Sequence, residues 1–346
     1  MVAYLKMLEY PLNITKKDLK MAKLIASQYG GPQGELGAAI RYLNQRLTMP
    51  DDYGRSLLND IGIEELAHIE MLQTMMTMLM KDATIEEIKA AGLETALFDK
   101  VSQNPLTTTA QEGADFAKAN GCDVVVAIGG GSIMDCAKAI AFLSKNDGDI
   151  NDYIYNRLRR DDALPLVLIP TTCGTGSEGN GFAVLTNPDN GDKKSLRCNA
   201  IVAKVSIVDP ECMMTMPKKV LASVTFDALC HNIEAYTSKI AQPLTDALSL
   251  YAIELIANNL VSVYNGTGNK KEWENITMAS TIGGMVINTA GVTLAHGMEH
   301  PASGLKDIVH GQGLAALTPV IVEASHKGNH FKFAKIARIF GGVTAE

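Results

Sequence analysis

The sequence predicts a chain of α/β plus all-α class in three parts, and three observations predict it. Up to about residue 95 the apolar positions recur at helical spacing. From about 96 to 206, strand and helix patterns alternate around a glycine turn, Gly129-Gly-Gly-Ser132. After Val208-Asp-Pro210 the pattern is helical to the end, and it carries one carboxylate and several imidazoles at recurring spacings.

In the first part, Lys17 to Tyr29 reads as a helix that Gly30-Gly-Pro32 stops. A second helix is expected from Gln33 to Thr48 and a third from Asp52 to Lys81, where Met49-Pro50-Asp-Asp52 suits a new N-terminus. Glu35 lies on the second and Glu65-Leu-Ala-His68 on the third. Glu-x-x-His sets a carboxylate and an imidazole one turn apart on one face, and a Glu from a neighbouring helix makes half of a di-metal carboxylate site. The same pattern is also common on solvated faces, which is the reading for Glu323-Ala-Ser-His326. The run Met71 to Met80 reads as core filler or an exposed half-bundle face. Gln28-Tyr-Gly-Gly-Pro-Gln-Gly-Glu-Leu36, Arg41-Tyr-Leu-Asn-Gln-Arg46 and Gly62-Ile-Glu-Glu-Leu-Ala-His-Ile-Glu-Met71 resemble the start of the manganese catalases, especially their spore-coat relatives. The resemblance implies a partial ferritin-like helical module over 1–95, with Glu35, Glu65 and His68 as manganese ligands and the other half of the site not encoded.

In the second part, Thr109 to Asn120 is expected as a helix, Asp123 to Ile128 as a buried strand and Ile133 to Leu143 as the helix after the glycine turn. Glycines between a strand and a helix N-terminus let backbone N–H groups approach a phosphate, which the helix dipole favours. The turn is neither a P-loop nor GxGxxG, so by itself it reads equally as a tight turn. Leu164 to Pro170 is a second buried strand, leading into the hydroxyl- and glycine-rich loop Thr171-Thr-Cys-Gly-Thr-Gly-Ser-Glu178. A hairpin follows, turning at Asp189-Asn-Gly191 and returning through Lys193.

In the third part, Asp227 and His231 are four apart, which puts both on one face of a helix, and His296 and His300 repeat that spacing. His310 follows in Val-His-Gly-Gln-Gly, where glycines let the chain turn the side chain back. Four of the seven histidines fall in this stretch, against the alternative of unrelated polar positions. One oxygen donor with three or four nitrogens and no cysteine pair suits Fe(II) or Zn(II) better than Mg or Ca.

Phe226-Asp-Ala-Leu-Cys-His-Asn-Ile-Glu-Ala-Tyr236 and Leu294-Ala-His-Gly-Met-Glu-His-Pro-Ala-Ser-Gly304 resemble the metal motifs of the iron-containing (group III) alcohol dehydrogenases. Asn104-Pro-Leu, Gly129 to Lys138 and the Thr171 loop, in that order, resemble the dinucleotide half of the same family. The resemblance runs from about 96 to 342 and is without the family's two ends. It implies a partial Rossmann-like domain over 96–206 and a helical metal-binding domain over 207–346. By the same resemblance Asp227, His231, His296 and His310 are ligands of iron or zinc, and His300 lies by the nicotinamide as the proton-passing catalytic residue. Gly130, Gly131, Ser132 and Asp135 sit by the pyrophosphate of NAD(P), and Thr171, Thr172, Phe182 and Lys193 line the rest. Asn180 stands where the family usually has Thr. The implied function is NAD(P)-linked oxidation of a small alcohol or reduction of an aldehyde, impaired by the missing segments. The alternatives are a manganese-catalase-like or spore-coat-type protein acting through the first part, and a non-catalytic assembly protein.

A net charge of −7 offers no general attraction for nucleic acid or an anionic membrane. Six cysteines without CxxC spacing read as reduced thiols of a cytoplasmic protein. No basic-then-apolar leader opens the sequence, and no apolar stretch is expected to reach ~20 residues. A homo-oligomer is expected.

Overall fold

The computed structural model describes residues 14–30, 35–45, 48–80 and 94–343. The chain divides into two compact units, Met1–Leu97 and Phe98–Glu346.

The first unit holds helices α1 (Leu19–Gly30), α2 (Glu35–Gln45) and α3 (Asp52–Met80) among its described residues. Asp51 starts α3 by accepting from Gly54 N at 2.7 Å, the bond that an acidic N-cap supplies. α3 packs against both other helices. Gly62 permits the approach to α2, since a Cβ there would come 2.7 Å from Leu43 Cγ. Ala22 and Ile25 of α1 are buried against Leu72 and Met75, so this part of the methionine run fills core. The expected stop at Gly31-Pro32 and the helix ends at 33, 46–47 and 81 lie outside the described residues.

The second unit begins with α4 (Thr107–Ala119), β1 (Val125–Gly129), α5 (Gly131–Leu143), the short α6 (Ile150–Ile154) and β2 (Leu166–Pro170). Then come β3 (Phe182–Thr186), β4 (Lys193–Arg197) and β5 (Val205–Ser206). β1, β2 and β5 form a parallel sheet in that spatial order, with Val125 opposite Leu166 and Gly129 opposite Pro170. β3 and β4 form the expected antiparallel hairpin, with Phe182 opposite Arg197. α5 packs on β1, β2 and β3 at once. Its apolar residues run all round the helix, and Met134, Ala139, Phe142 and Leu143 are fully buried, which is what such a pattern requires. The helix starts two residues before Ile133, because Gly130 O accepts from both Ile133 N and Met134 N and so draws the glycine turn into the first turn.

The rest is helical: α7 (Lys218–Thr237), α8 (Pro243–Asn265), α9 (Lys270–Ala290), α10 (Leu294–Lys306), α11 (His310–Ser325) and α12 (His330–Ile339). α7 is central and packs on α8, α9 and α11. Ala228 and Ala235 of α7, Ala252 of α8 and Ala279 of α9 are fully buried, small residues that let these helices approach closely. α8 corrects one expectation: over its 23 residues it is long and apolar enough to cross a membrane. Its Ala252 and Ile256 instead form the bundle core with α7 and α9, and Ile253 packs with Tyr236 of α7 and Ile336 of α12.

Candidate metal and nucleotide site

Three helices bring one carboxylate and four imidazoles together. Asp227 and His231 leave the same face of α7, His296 and His300 leave one face of α10, and His310 opens α11. Asp227 Oδ1 lies 3.5 Å from His231 Nε2, 3.3 Å from His296 Nε2 and 3.5 Å from His310 Nε2. The His231 and His296 rings stack with centroids 4.7 Å apart, and His300 lies 5.8 Å from His296 and 5.4 Å from His310.

Two further carboxylates stand behind these rings. Glu234 Oε1 accepts from His296 Nδ1 at 2.5 Å, while its Oε2 accepts from Thr293 N and Thr293 Oγ1. Glu299 Oε2 accepts from His310 Nδ1 and, at 3.2 Å, from Ser303 Oγ. A carboxylate holding Nδ1 in this way turns the Nε2 edge of the ring toward Asp227. His231 Nδ1 is buried with no partner among the described residues.

Burial alone would raise the Asp227 carboxyl, but His231, His310 and His296 hold it well below the usual carboxylate range. Burial pushes His231 down to about 4. At His296 burial acts the same way, yet Asp227 and Glu234 outweigh it and lift the imidazole to about 9. His300 is pushed down to about 2 by burial and by His296 and His310, so its ring is neutral. The donor set suits a divalent transition ion, since only the His296 contact with Asp227 is a hydrogen bond. The other two Nε2 atoms face the same oxygen from beyond good bonding distance. A cation among them satisfies all four donors.

The same residues form one end of a cavity of about 420 Å³. Its other walls include Gly130, Gly131, Ser132, Asp135, Thr172, Phe182 and Lys193. The walls fit a nucleotide in two respects. No side chain caps the first turn of α5, leaving its N–H groups to a ligand. A Cβ on Gly131 would meet Thr175 Cγ2 at 2.3 Å, so glycine lets the Thr171–Glu178 loop close against the turn. Thr171 lies outside the lining, and its N–H bonds Gly129 O at 3.0 Å to tie the strand ends together. Asp135 borders the cavity with both oxygens engaged, accepting from Ser177 Oγ at 2.6 Å and from Val184 N at 2.9 Å.

The residues that sequence reasoning missed are mostly supports. Lys138 Nζ is wholly buried and donates among Ser177 O, Ser177 Oγ, Asn180 Oδ1 and Phe182 O. Asn180 thus holds the loop. Glu234 and Glu299 each follow a histidine by three residues, a same-face spacing that marks them, but each pairs with a histidine of a different turn or helix.

In the first unit, Glu65 Oε2 and His68 Nδ1 lie 3.0 Å apart on α3. The Glu35 side chain lies outside the described residues. Among the described residues, both clusters with metal-ligand spacing belong to the second unit.

Comparison with known proteins identifies the family. Residues 67–210 match the family model of iron-containing alcohol dehydrogenase, and 221–346 match the C-terminal model of the Fe-containing alcohol dehydrogenase family. Residues 1–122 match manganese containing catalase, so 67–122 answer to two families. Choline dehydrogenase of Bacillus subtilis is 37% identical over 273 residues, 77% of this chain and 67% of that protein. 1,3-Propanediol dehydrogenase of Klebsiella pneumoniae is 37% identical over 260 residues, 75% of this chain and 67% of its own length. The crystal structure of a 1,3-propanediol oxidoreductase superposes with a TM-score of 0.70 at 36% identity, covering 76% of this chain and 70% of that one. That structural neighbour and the family matches carry the Rossmann-like and helical halves together, and with them the implied iron and NAD(P). On this identity and coverage the chain belongs to the iron-containing alcohol dehydrogenase family, NAD-linked oxidoreductases of alcohols.

Proposed function

We propose that Asp227, His231, His296 and His310 hold one divalent ion and that NAD(P) lies along the cavity, its pyrophosphate at Gly130, Gly131 and Ser132. The observation that carries this reading is the convergence of three imidazole Nε2 atoms on one buried carboxylate oxygen. The family name specifies iron, and zinc favours the same donors. A bound divalent ion supplies Lewis acidity toward the substrate oxygen.

The chain's own residues do the rest. Asp227 contributes the negative charge, and Glu234 keeps His296 turned toward it. The uncapped first turn of α5 offers N–H groups to the pyrophosphate. Thr172 and Phe182 form a wall, with Thr171 fixing the strand end beneath it, and Asp135 holds the loop and hairpin together. Lys193, with its ammonium lowered by burial, brings a cation to the cavity. His300, held neutral beside His310, passes the alcohol proton on rather than keeping it, because burial and its neighbours disfavour the imidazolium.

The substrates are small primary alcohols and their aldehydes, as the names of relatives for choline, 1,3-propanediol and methanol suggest. The working protein is a cytoplasmic homo-oligomer with no nucleic-acid or membrane partner. Its six cysteines are all free, as a reducing compartment requires. The domains in this reading are 1–95, 96–206 and 207–346. Alcohol-dependent NADH formation with Fe(II) or Zn(II), together with elemental analysis, tests it. His231→Ala and His296→Ala are expected to lose most of the bound ion, and retention in both equal to that of the unsubstituted chain would sink the ligand assignment.

A second reading rests on the manganese-catalase match. The first module is then a partial ferritin-like bundle in which Glu35, Glu65 and His68 make half of a manganese site that two copies complete about a twofold axis. Oxygen release from peroxide by the manganese-loaded chain is its signature. Self-assembly without turnover of either substrate would favour the non-catalytic alternative.

A further inference from the structure

Glu299 is a carboxylate that the ligand set does not use, and it lies directly behind it. It is fully buried on α10, one turn after His296. Its Oε2 accepts from His310 Nδ1 and from Ser303 Oγ. Ser303 Oγ accepts in turn from Lys193 Nζ at 2.9 Å, and Lys193 Nζ also donates to Asn104 Oδ1 at 2.9 Å. A continuous hydrogen-bonded path therefore runs from an imidazole facing Asp227 to the ammonium on the nucleotide side of the cavity.

We propose that Glu299 is a positioning residue that fixes the tautomer and aim of His310 and, through Ser303 and Lys193, links ion binding to nucleotide binding. The inference rests on the ligand set proposed above. His310 has the greatest need of support among the imidazoles facing Asp227. Its side chain is 23% exposed, against 7% for His231 and 2% for His296, and it opens a helix that no side chain caps. A carboxylate on Nδ1 restricts the ring and strengthens Nε2 as a donor.

Charge points the same way. Asp227, Glu234 and Glu299 are all buried, and a divalent ion balances only two carboxylates. Lys193, reached through Ser303, balances the third. The packing is made for this side chain, because a Cβ on Gly313 of α11 would stand 2.8 Å from Glu299 Cγ and 3.0 Å from Oε1. Glu299, His300 and His310 also have ligand atoms within 4.8 Å of one another. Within that group His310 Nδ1 bonds Glu299 Oε2 directly, so the number of ions bound distinguishes a support from a second site.

The test uses the full chain with Co(II), whose visible spectrum reports coordination, and measures stoichiometry, dissociation constant by chelator competition and spectrum, with and without NAD⁺. Wild type is expected to bind one Co(II) per chain. Glu299→Gln is expected to weaken Co(II) about 10–100-fold and to shift its absorption bands. Gly313→Ala, which displaces Glu299 without altering its charge, should move both readouts in the same direction. NAD⁺ and Co(II) should change each other's dissociation constants by one common factor of about threefold or more, because linkage is reciprocal. Ser303→Ala should still bind Co(II) but lose that factor.

Wild-type affinity and spectrum in Glu299→Gln would overturn the proposal. So would two Co(II) in wild type falling to one in that variant, which would make Glu299 a ligand of a second ion. If circular dichroism shows Glu299→Gln unfolded, Gly313→Ala decides, and an unchanged spectrum and affinity there overturn the proposal. Failure of the wild type to bind Co(II) counts instead against the ligand assignment.

Discussion

Lys138, at the end of the glycine-turn motif, ties three segments of the second unit together. Its ammonium donates to the backbone and side chain of Ser177 and to Asn180 and Phe182, joining α5 to the cavity loop and the hairpin. Lys138→Met leaves those acceptors unsatisfied and deprives Asp135 and Glu178 of a nearby cation. A loss of about 3–5 kcal/mol is expected in urea unfolding. The pH dependence follows from burial, which lowers Lys138 to about 8. Above that value, and up to the unfolded value of about 10.4, the unfolded chain binds more protons than the native one, so this group's contribution to stability rises with pH. The stability gap between wild type and Lys138→Met should therefore widen from pH 8 to 10, and a constant gap would contradict the assignment. Gly284 makes a second prediction. A Cβ there would lie 1.8 Å from Gly176 O, and Gly176 itself adopts φ 58°. Gly284→Ala should displace the cavity loop, cost about 1–3 kcal/mol and weaken NAD⁺ binding in calorimetry.

At the scale of elements, α9 shows how locally a helix start is written. Asn269 Oδ1 accepts from Glu272 N at 3.1 Å, and Glu272 Oε2 accepts from Asn269 N at 2.8 Å, a reciprocal capping box. Asn269→Ala is expected to cost about 1 kcal/mol in thermal or urea unfolding while leaving ion content unchanged, because the cap supports the helix and touches no donor. α10 behaves differently. Its His296 faces Asp227 and Glu234 of α7, and its Glu299 faces His310 of α11. Displacing this one helix therefore disturbs every imidazole of the site.

For the whole molecule, the sheet is the weak point. Among the described residues β1 pairs only with β2, and Val126 and Ile128 on its open side are 54% and 63% exposed. An apolar edge strand with exposed side chains invites association with another chain. Val126→Lys should reduce concentration-dependent association in sedimentation without lowering ion content, since the site lies on α7, α10 and α11. In the proposed reading nucleotide binding draws on both halves of the second unit, whereas the proposed ion donors all sit on helices. Ion binding should consequently survive mild denaturant better than alcohol-dependent NADH formation, and loss of both at one urea concentration would show the halves to be a single cooperative unit.

The sequence by itself determined the elements and the donor faces. Spacings of four placed Asp227 with His231 and His296 with His300, and a strand, three glycines and a helix marked the turn at the head of α5. These signals are local: helical periodicity fixes which side chains share a face, and glycine fixes where backbone can approach. What periodicity leaves open is which face meets which. Glu234 shares a face with His231 yet supports His296, about sixty residues away, and Glu299 passes over its neighbour His300 to hold His310. Asp135, which the resemblance sets by the pyrophosphate, borders the cavity and also accepts from Ser177 and Val184, while Lys138, in the same motif, carries no separate signal. Such pairings arise only when packing excludes water and each buried charge must find its partner within the protein, so tertiary structure alone decided them.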